Sequence, residues 1–272
     1  IPPKMAAAVP LLTRSQGAHI RGLLREKSVR AQSGSFVVEG SHAVEDLLTR
    51  YPDQILAIVS TQGYLPRGGR DGRVIRVASS TKQYSCSDLQ FSRLSDLDAP
   101  QGILAVVRQP TWDEGSVLRQ PTVLGIFGEE LQDPTNVGAI IRTAAALNLS
   151  GLWLTPESAD VYHPKVVRAT SGSLLSLPIF IARDVSALIR QDCGIFAAEA
   201  TGNGAVPIDE IRQVPRRLIL AVGNEGRGLS AQLSSQATTR FRIPLSRDVE
   251  SLNVAATVAI AAFHFSRLPK RK

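Results

Sequence analysis

Three stretches in the second half of the chain place polar residues where apolar runs end, the position at which α/β proteins hold ligands. The first reads Gly128-Glu129-Glu130-Leu131-Gln132-Asp133-Pro134-Thr135-Asn136-Val137-Gly138-Ala139-Ile140-Ile141-Arg142-Thr143-Ala144. A strand ends, a polar loop turns, and a helix opens that Asn136 can cap. Arg142 stands among alanines and isoleucines, and a guanidinium beside apolar packing needs an anionic partner to offset its desolvation. A phosphate would serve. The plainer reading of the spacing is that Arg142 points to solvent or pairs with Glu129 or Glu130.

The second stretch, Leu218-Ile219-Leu220-Ala221-Val222-Gly223-Asn224-Glu225-Gly226-Arg227-Gly228-Leu229-Ser230, runs a buried strand into a glycine-rich turn and a helix start. That is how α/β proteins open room for a nucleotide-like ligand. The glycines fall as GxxGxG, which is neither the dinucleotide fingerprint nor a P-loop, so on its own the segment is ordinary turn chemistry. The third runs Ile243-Pro244-Leu245-Ser246-Arg247-Asp248-Val249-Glu250-Ser251-Leu252-Asn253-Val254-Ala255-Ala256 into an alanine-rich helix that reaches Phe265. Ser251 or Asn253 can cap it. Small residues let such a helix pack closely on a neighbour, which also describes an ordinary core helix.

The elements around these stretches alternate. Apolar runs at 123–127, 152–155, 179–181, 195–198 and 218–222 are separated by helical stretches at 136–147, 184–191 and 253–267. The pattern predicts a mostly parallel sheet covered by helices. Upstream, residues 15–31 predict a basic helix, Phe36–Glu39 a strand closed by Gly40, and 41–50 a second helix. Ile55–Ser60, Val74–Val77 and Gly102–Val107 predict further strands, with a flexible loop at Gly68–Gly72. Pro110, Gly115 and Pro121 mark the stretch from Arg108 to Thr122 as a linker rather than a core element. The expected organisation is an N-terminal α/β domain over 13–108, a linker over 109–121 and a C-terminal α/β domain over 122–268.

With 272 residues, 43% hydrophobic and 20% charged, the chain can bury two cores and is too apolar to stay disordered. The formal charge of +7 favours a polyanionic partner, nucleic acid first and acidic membrane second. All but Lys4, Lys27, Lys82, Lys165, Lys270 and Lys272 of the basic residues are arginine, whose fork suits phosphate, although high genomic GC content produces the same bias. Cys86 and Cys193 lie far apart with no CxxC pair or histidine cluster, so the expectation is a reduced protein without a metal. No run approaches a membrane span, and residues 5–12 do not form a secretory signal. The first dozen residues are set aside from the fold reading.

The order Asn-x-Gly-Ala-x-x-Arg-Thr-Ala, then Gly-Asn-Glu-Gly-x-Gly-Leu, then Ile-Pro-Leu followed by Glu-Ser-Leu-Asn-Val closely resembles the three signature motifs of SpoU RNA 2′-O-ribose methyltransferases of the knotted SPOUT superfamily. Tyr162-His163-Pro164-Lys165-Val166-Val167-Arg168-Ala169-Thr170-Ser171-Gly172-Ser173 is similar to the segment this family carries between its first and second motifs. The likeness spans 123 to 267. The N-terminal half, through Phe36–Gly40 and Pro100–Val107, resembles the family's substrate-binding domain and ribosomal-protein-like RNA binders.

The resemblance implies a parallel-sheet catalytic domain tied into a deep trefoil knot, against the usual rule that chains do not thread loops. It implies S-adenosylmethionine as methyl donor, with Gly223, Ile243 and Leu252 at its adenosine and Thr201, Asn224, Pro244 and Asn253 nearby. Arg142 matches the arginine that acts on the ribose hydroxyl, and Asn136, Glu225, Ser251 and Asn253 match residues shaping the site. It further implies an RNA partner, ribosomal rather than transfer, and a homodimer in which the first motif reaches the partner's cofactor site. A bacterial cytoplasm is the default location, with a mitochondrial or plastid matrix as the alternative. The rival readings are a catalytically silent RNA-binding or ribosome-assembly protein of the same fold, a nucleotide-dependent oxidoreductase, and a base methylase. The surviving polar motif residues, the absence of GxGxxG and the Ser-Leu-Asn triplet speak against them in turn.

Overall fold

The structure, a computed structural model, describes residues 9–64, 77–78, 80–199, 204–246 and 249–271. The chain divides into two compact units. The first is Ile1–Pro110 with Tyr162–Arg168, and the second is Thr111–Val161 with Ala169–Lys272.

In the first unit, helix α1 (Arg14–Arg25) starts at a capping box in which Thr13 accepts from the Gln16 amide and Gln16 reaches back to the Thr13 amide. The expected single helix over 15–31 is two. The chain turns extended at Glu26, and α2 (Lys27–Ser33) follows. The cause is tertiary: buried Arg30 donates to the carbonyls of Leu23, at 2.7 Å, and Leu24, taking up acceptors that the last turn of α1 leaves open. Strand β1 (Ser35–Glu39), helix α3 (Ser41–Arg50) and strand β2 (Ile55–Thr61) follow. The expected strand Val74–Val77 and the loop Gly68–Gly72 fall on residues that, Val77 apart, lie outside the described ones. Two unexpected elements come next, β3 (Lys82–Cys86) and α4 (Asp88–Leu94), before β4 (Ile103–Arg108) closes the sheet.

The sheet order is β1-β4-β2-β3. β4 pairs antiparallel with β1 and β2, and β2 pairs parallel with β3. Ile20, Leu23 and Leu24 of α1 and Phe91 and Leu94 of α4 form a core with Val37, Val59, Leu104 and Val106. Tyr162, expected in the second domain, groups with this unit, its ring 5.0 Å from that of Phe36.

The second unit corrects the linker reading. Residues 114–118 form a helix, α5 (Glu114–Leu118), whose Val117 and Leu118 are buried in the core, and Glu114 accepts from the Trp153 indole at 2.7 Å. The alternation then proceeds through β5 (Val123–Gly128), α6 (Pro134–Ala146) and β6 (Gly151–Leu154); α7 (Pro164–Ala169) follows in the chain but, Ala169 apart, groups with the first unit, and the second resumes with β7 (Ile179–Ile181), α8 (Ser186–Arg190), β8 (Gly194–Ala198) and the short β9 (Val206–Pro207). β10 (Arg217–Val222), α9 (Ala231–Gln236), β11 (Thr239–Arg242) and α10 (Val254–Arg267) complete it. The sheet order is β7-β6-β5-β10-β8-β11-β9, and every pairing is parallel.

Strands covered on both faces read as unbroken apolar runs, which is why this half is plain in the sequence. Phe127, Trp153, Ile195, Ile219 and Leu188 fill one core cluster. α10 packs on α6 and β10, and its buried Phe265 meets Phe196 and Phe241 edge-on at 5.4 and 5.1 Å.

Candidate active site

Parallel pairing brings the carboxyl ends of β5, β10, β8 and β11 to one edge. The chain runs outward from β5 to β7 and returns to β8 on the other side, so this edge is a topological switch point. The three polar stretches all leave from it.

The loop after β5 enters α6 with Asp133 as its cap: Asp133 accepts from the Thr135 amide at 2.8 Å, and Pro134 takes the first helical turn. Asn136 is therefore not the cap. It lies inside the first turn, 6% exposed, and its side chain is free to face the other two motifs.

The loop after β10 folds back on itself. A side-chain carbon at Gly223 would stand 2.2 Å from the Gly228 carbonyl oxygen, so no other residue permits this turn. Asn224 braces it, accepting from the amides of Gly226 and Arg227 at 3.0 and 3.1 Å and donating to the Glu130 carbonyl at 2.9 Å. Glu129 accepts from the amide and hydroxyl of Ser230, both at 2.7 Å, and Glu130 pairs with Arg227. Both glutamates are thus engaged by the second motif. Neither pairs with Arg142, which is exposed, with no hydrogen-bonding or ionic partner among the described residues.

The third stretch joins through Asn253. It caps α10, accepting from the Ala255 amide at 2.8 Å, and donates to the Asn136 carbonyl oxygen at 2.8 Å. Asn136 in turn donates to Glu225 at 3.0 Å, and Glu225 also accepts from the amides of Gln132 and Asp133, both at 3.3 Å. An ionised carboxylate only accepts, so Glu225 fixes the Asn136 amide group toward itself and its carbonyl toward Asn253. One hydrogen-bonded chain therefore ties all three stretches together. Burial alone would raise the Glu225 carboxyl, but the donors from Asn136, from its own amide and from Gln132 and Asp133 outweigh it and hold the group below the ordinary glutamate range. Ser251, the other proposed cap, is exposed and does not cap the helix.

The residues expected around a methyl donor divide as follows. Gly223 follows β10 and Ile243 follows β11, and β8 stands between those two strands. Ile243 and Leu252 are half-buried apolar side chains, Asn224 is half-buried, and Pro244 is exposed. Thr201 lies outside the described residues, as do Arg247 and Asp248 of the third stretch. An edge of loop backbone flanked by half-buried aliphatic side chains suits an adenosine held by main chain and apolar contact, so the residues present fit S-adenosylmethionine. Among the described residues, no group of three or more His, Cys, Asp and Glu is placed to hold a metal ion.

The sequence reading missed Asp133 as the cap, although Asp followed by Pro is an N-cap and first-turn signature. It also missed the Glu129–Ser230 and Glu130–Arg227 contacts, which depend on β5 and β10 being neighbours.

Residues 124–263 match the model of the SpoU rRNA Methylase family, and residues 20–105 match the MRM3-like substrate binding domain. The chain is 32% identical over 245 residues to the 23S rRNA (guanosine(2553)-2′-O)-methyltransferase RlmP of Bacillus subtilis, covering 89% of this chain and 92% of that one. The chain belongs to the SpoU rRNA methylase family. As a SpoU member it is a methyltransferase, and the three stretches that the sequence reading picked out lie within the matched residues. Among solved structures it is similar to the AdoMet-bound rRNA methyltransferase from Sinorhizobium meliloti, with a TM-score of 0.79 and 28% identity over 95% of this chain and 96% of that one. It is also similar to a TrmH-family RNA methyltransferase from Porphyromonas gingivalis, with a TM-score of 0.78 and 29% identity over 94% and 98% of the two chains.

Proposed function

We propose that this SpoU methylase uses S-adenosylmethionine to methylate a ribose 2′-hydroxyl of ribosomal RNA, and that it does so as a homodimer. The observation that carries the reading is the chain Glu225–Asn136–Asn253, which links the polar residues of all three motifs at one sheet edge. A ribose 2′-hydroxyl is a poor acid, so the site gains most by fixing geometry and stabilising oxyanion charge as it develops. S-adenosylmethionine, when bound, supplies an electrophilic methyl on a sulfonium sulfur. Gly223, Ile243 and Leu252, with Asn224, Pro244 and Asn253 nearby, would hold it, largely through loop backbone. Arg142 meets the ribose oxygen or adjoining phosphate and favours loss of the hydroxyl proton; Ser251 lines the same site.

Ribosomal rather than transfer RNA is supported by the family itself and by relatives named as 23S rRNA methyltransferases, RlmP among them. The homodimer is supported by α10. Its Ile260 and Phe263 are 43% and 52% exposed, and the Arg267 guanidinium lies over the Phe263 ring at 5.3 Å. An unpartnered Arg142 accords with a residue that completes a site in the partner. The family's trefoil knot and a cytoplasmic or organellar-matrix location belong to the same reading. Among the described residues no helix is long and apolar enough to cross a membrane.

The test is transfer of labelled methyl from S-adenosylmethionine to total RNA, with alkali-resistant sites mapped. Label on ribose of ribosomal RNA that Arg142→Ala abolishes in a folded protein is the expected result. S-adenosylmethionine bound calorimetrically with no label on any RNA overturns the assigned substrate. No binding at all returns the silent RNA-binder.

A further inference from the structure

Within the first unit a cavity of ≈590 Å³ opens between α1 and the sheet, and no step of the proposed reaction uses it. Its floor is apolar: Ile20, Ile55 and Val106 are buried there, with half-buried Leu56 and Ala57. Three consecutive residues, Ile55 to Ala57, line it, although successive residues of a regular strand face opposite sides. A β-bulge makes this possible. Ile55 pairs with Val107 and Ala57 with Val106, leaving Leu56 as the extra residue, and bulges recur where a strand must re-aim side chains.

The rim carries cations. Lys82 begins β3 beside Ala57, and Arg108 ends β4 beside Ser35; both are exposed and line the cavity. His19 and half-buried Tyr84 complete the wall, and Asp53 is the cavity's carboxylate. None of Lys82, Arg108, His19 and Tyr84 has a side-chain hydrogen bond or ion pair among the described residues. Positive charge at the mouth, an unbonded phenol in the wall and an apolar floor fit a flat aromatic group that carries a phosphate. The volume falls within the range of about 300–1,000 Å³ usual for small-molecule sites.

We propose that this cavity receives one unstacked nucleotide of the substrate RNA, the base lying against Tyr84 and the apolar floor and the phosphate meeting Lys82 and Arg108. The proposal rests on the reading of RNA as the substrate. Proteins that read RNA take splayed-out bases in this way, by stacking and by contacts to base edges.

The test uses the full chain and fluorescein-labelled single-stranded RNA hexamers of mixed sequence, followed by anisotropy over a range of salt. Tyr84→Ala is expected to weaken binding by about tenfold or more, the scale of one base stack, while Tyr84→Phe retains it. Lys82→Gln with Arg108→Gln is expected to lower the slope of log affinity against log salt by about 0.7 for each phosphate no longer neutralised, and Tyr84→Ala is expected to leave the slope alone. S-adenosylmethionine binding, measured on the same preparations, should be unchanged in every variant and serves as the folding control.

Variants that bind hexamers with wild-type affinity and slope overturn the proposal, as does a wild-type protein that methylates RNA but binds no hexamer. Tighter binding of free AMP, GMP, CMP or UMP than of any hexamer overturns it in favour of a free nucleotide. The reading of activity fails separately, on absent methyl transfer, while the hexamer titration still reports on the cavity.

Discussion

The loops at the sheet edge of the second unit and the cavity in the first unit treat polar groups in opposite ways. At the edge Glu129, Glu130, Asn136, Asn224, Glu225 and Asn253 are all engaged by other motif residues. Around the cavity His19, Lys82, Tyr84 and Arg108 have no such partners among the described residues. A site whose polar groups are satisfied internally is preorganised, and a reaction there needs no further reorganisation. Unpaired polar groups such as these four take their partners from the molecule that enters. Arg142, further along α6, is the exception among the motif residues, exposed and unpaired among the described residues, and it is the residue assigned to the RNA rather than to the scaffold.

The contrast can be broken first from beneath. Phe265 anchors α10, whose first residue follows the Asn253 cap, between Phe196 and Phe241. Phe265→Ala is expected to cost about 3–5 kcal/mol, visible as a lower denaturant midpoint, and to remove activity with it. Hexamer affinity per folded molecule should survive, since the cavity belongs to the other unit. Next in size, Arg142→Ala should lower kcat/KM by about a hundredfold or more, on the scale of losing one donor to a developing oxyanion. An exposed, unpaired side chain holds nothing together, so the melting temperature should stay within a degree or so of wild type. A large fall in stability would mean Arg142 belongs to the scaffold after all.

Asn136→Ala separates the two kinds of role. It removes two hydrogen bonds at once, a donor to Glu225 and an acceptor for Asn253, and although those two residues are exposed, losing both bonds of buried Asn136 costs about 1–3 kcal/mol. Stability and kcat should therefore fall together. In a double-mutant cycle Asn136→Ala and Asn253→Ala should be strongly non-additive, because they break the same bond. Additive losses would show that the three motifs act independently.

How much of this was legible follows from what each signal depends on. The strands of the second unit are unbroken apolar runs, and α6 and α10 carry helical residues between turn signals, so local sequence declares them. Residues 114–118 hide their burial because Pro110, Gly115 and Pro121 surround Val117 and Leu118 with loop chemistry. β3, reading Lys-Gln-Tyr-Ser-Cys, is too polar to announce itself and is held as an edge strand beside β2. The break at Glu26 depends on Arg30 reaching back to Leu23, and the cavity depends on a bulge that only strand pairing exposes. The motif residues were visible by type and order. That Asn136, Glu225 and Asn253 form one chain while Arg142 stands outside it is a fact of packing.

The smallest expected effect compares two carboxylates, one from each unit. Glu225 is held below the ordinary range by its donors. Glu39, at the end of β1, is pushed above it chiefly by burial, partly relieved by Ser95 and Arg168, and its second oxygen is buried with no hydrogen-bond partner among the described residues. The signs of their linkage are opposite. Glu225 contributes stability that is present above its unfolded pKa of about 4.3 and is lost as pH falls through its lower folded value. Glu39 contributes stability in its protonated form, present below its unfolded pKa and lost as pH rises through its higher folded value. Glu225→Gln should therefore remove stability at neutral pH and flatten the acid limb of the melting curve below about pH 4.5. Glu39→Gln should be neutral or stabilising at pH 7, since it supplies an uncharged group where burial opposes a charge. Thermal melts of both variants between about pH 3 and 8, spanning the carboxylate range, read this directly. If Glu39→Gln destabilises at pH 7 as Glu225→Gln does, the buried carboxylate of the first unit is satisfied as fully as the site carboxylate of the second, and the distinction drawn between them fails.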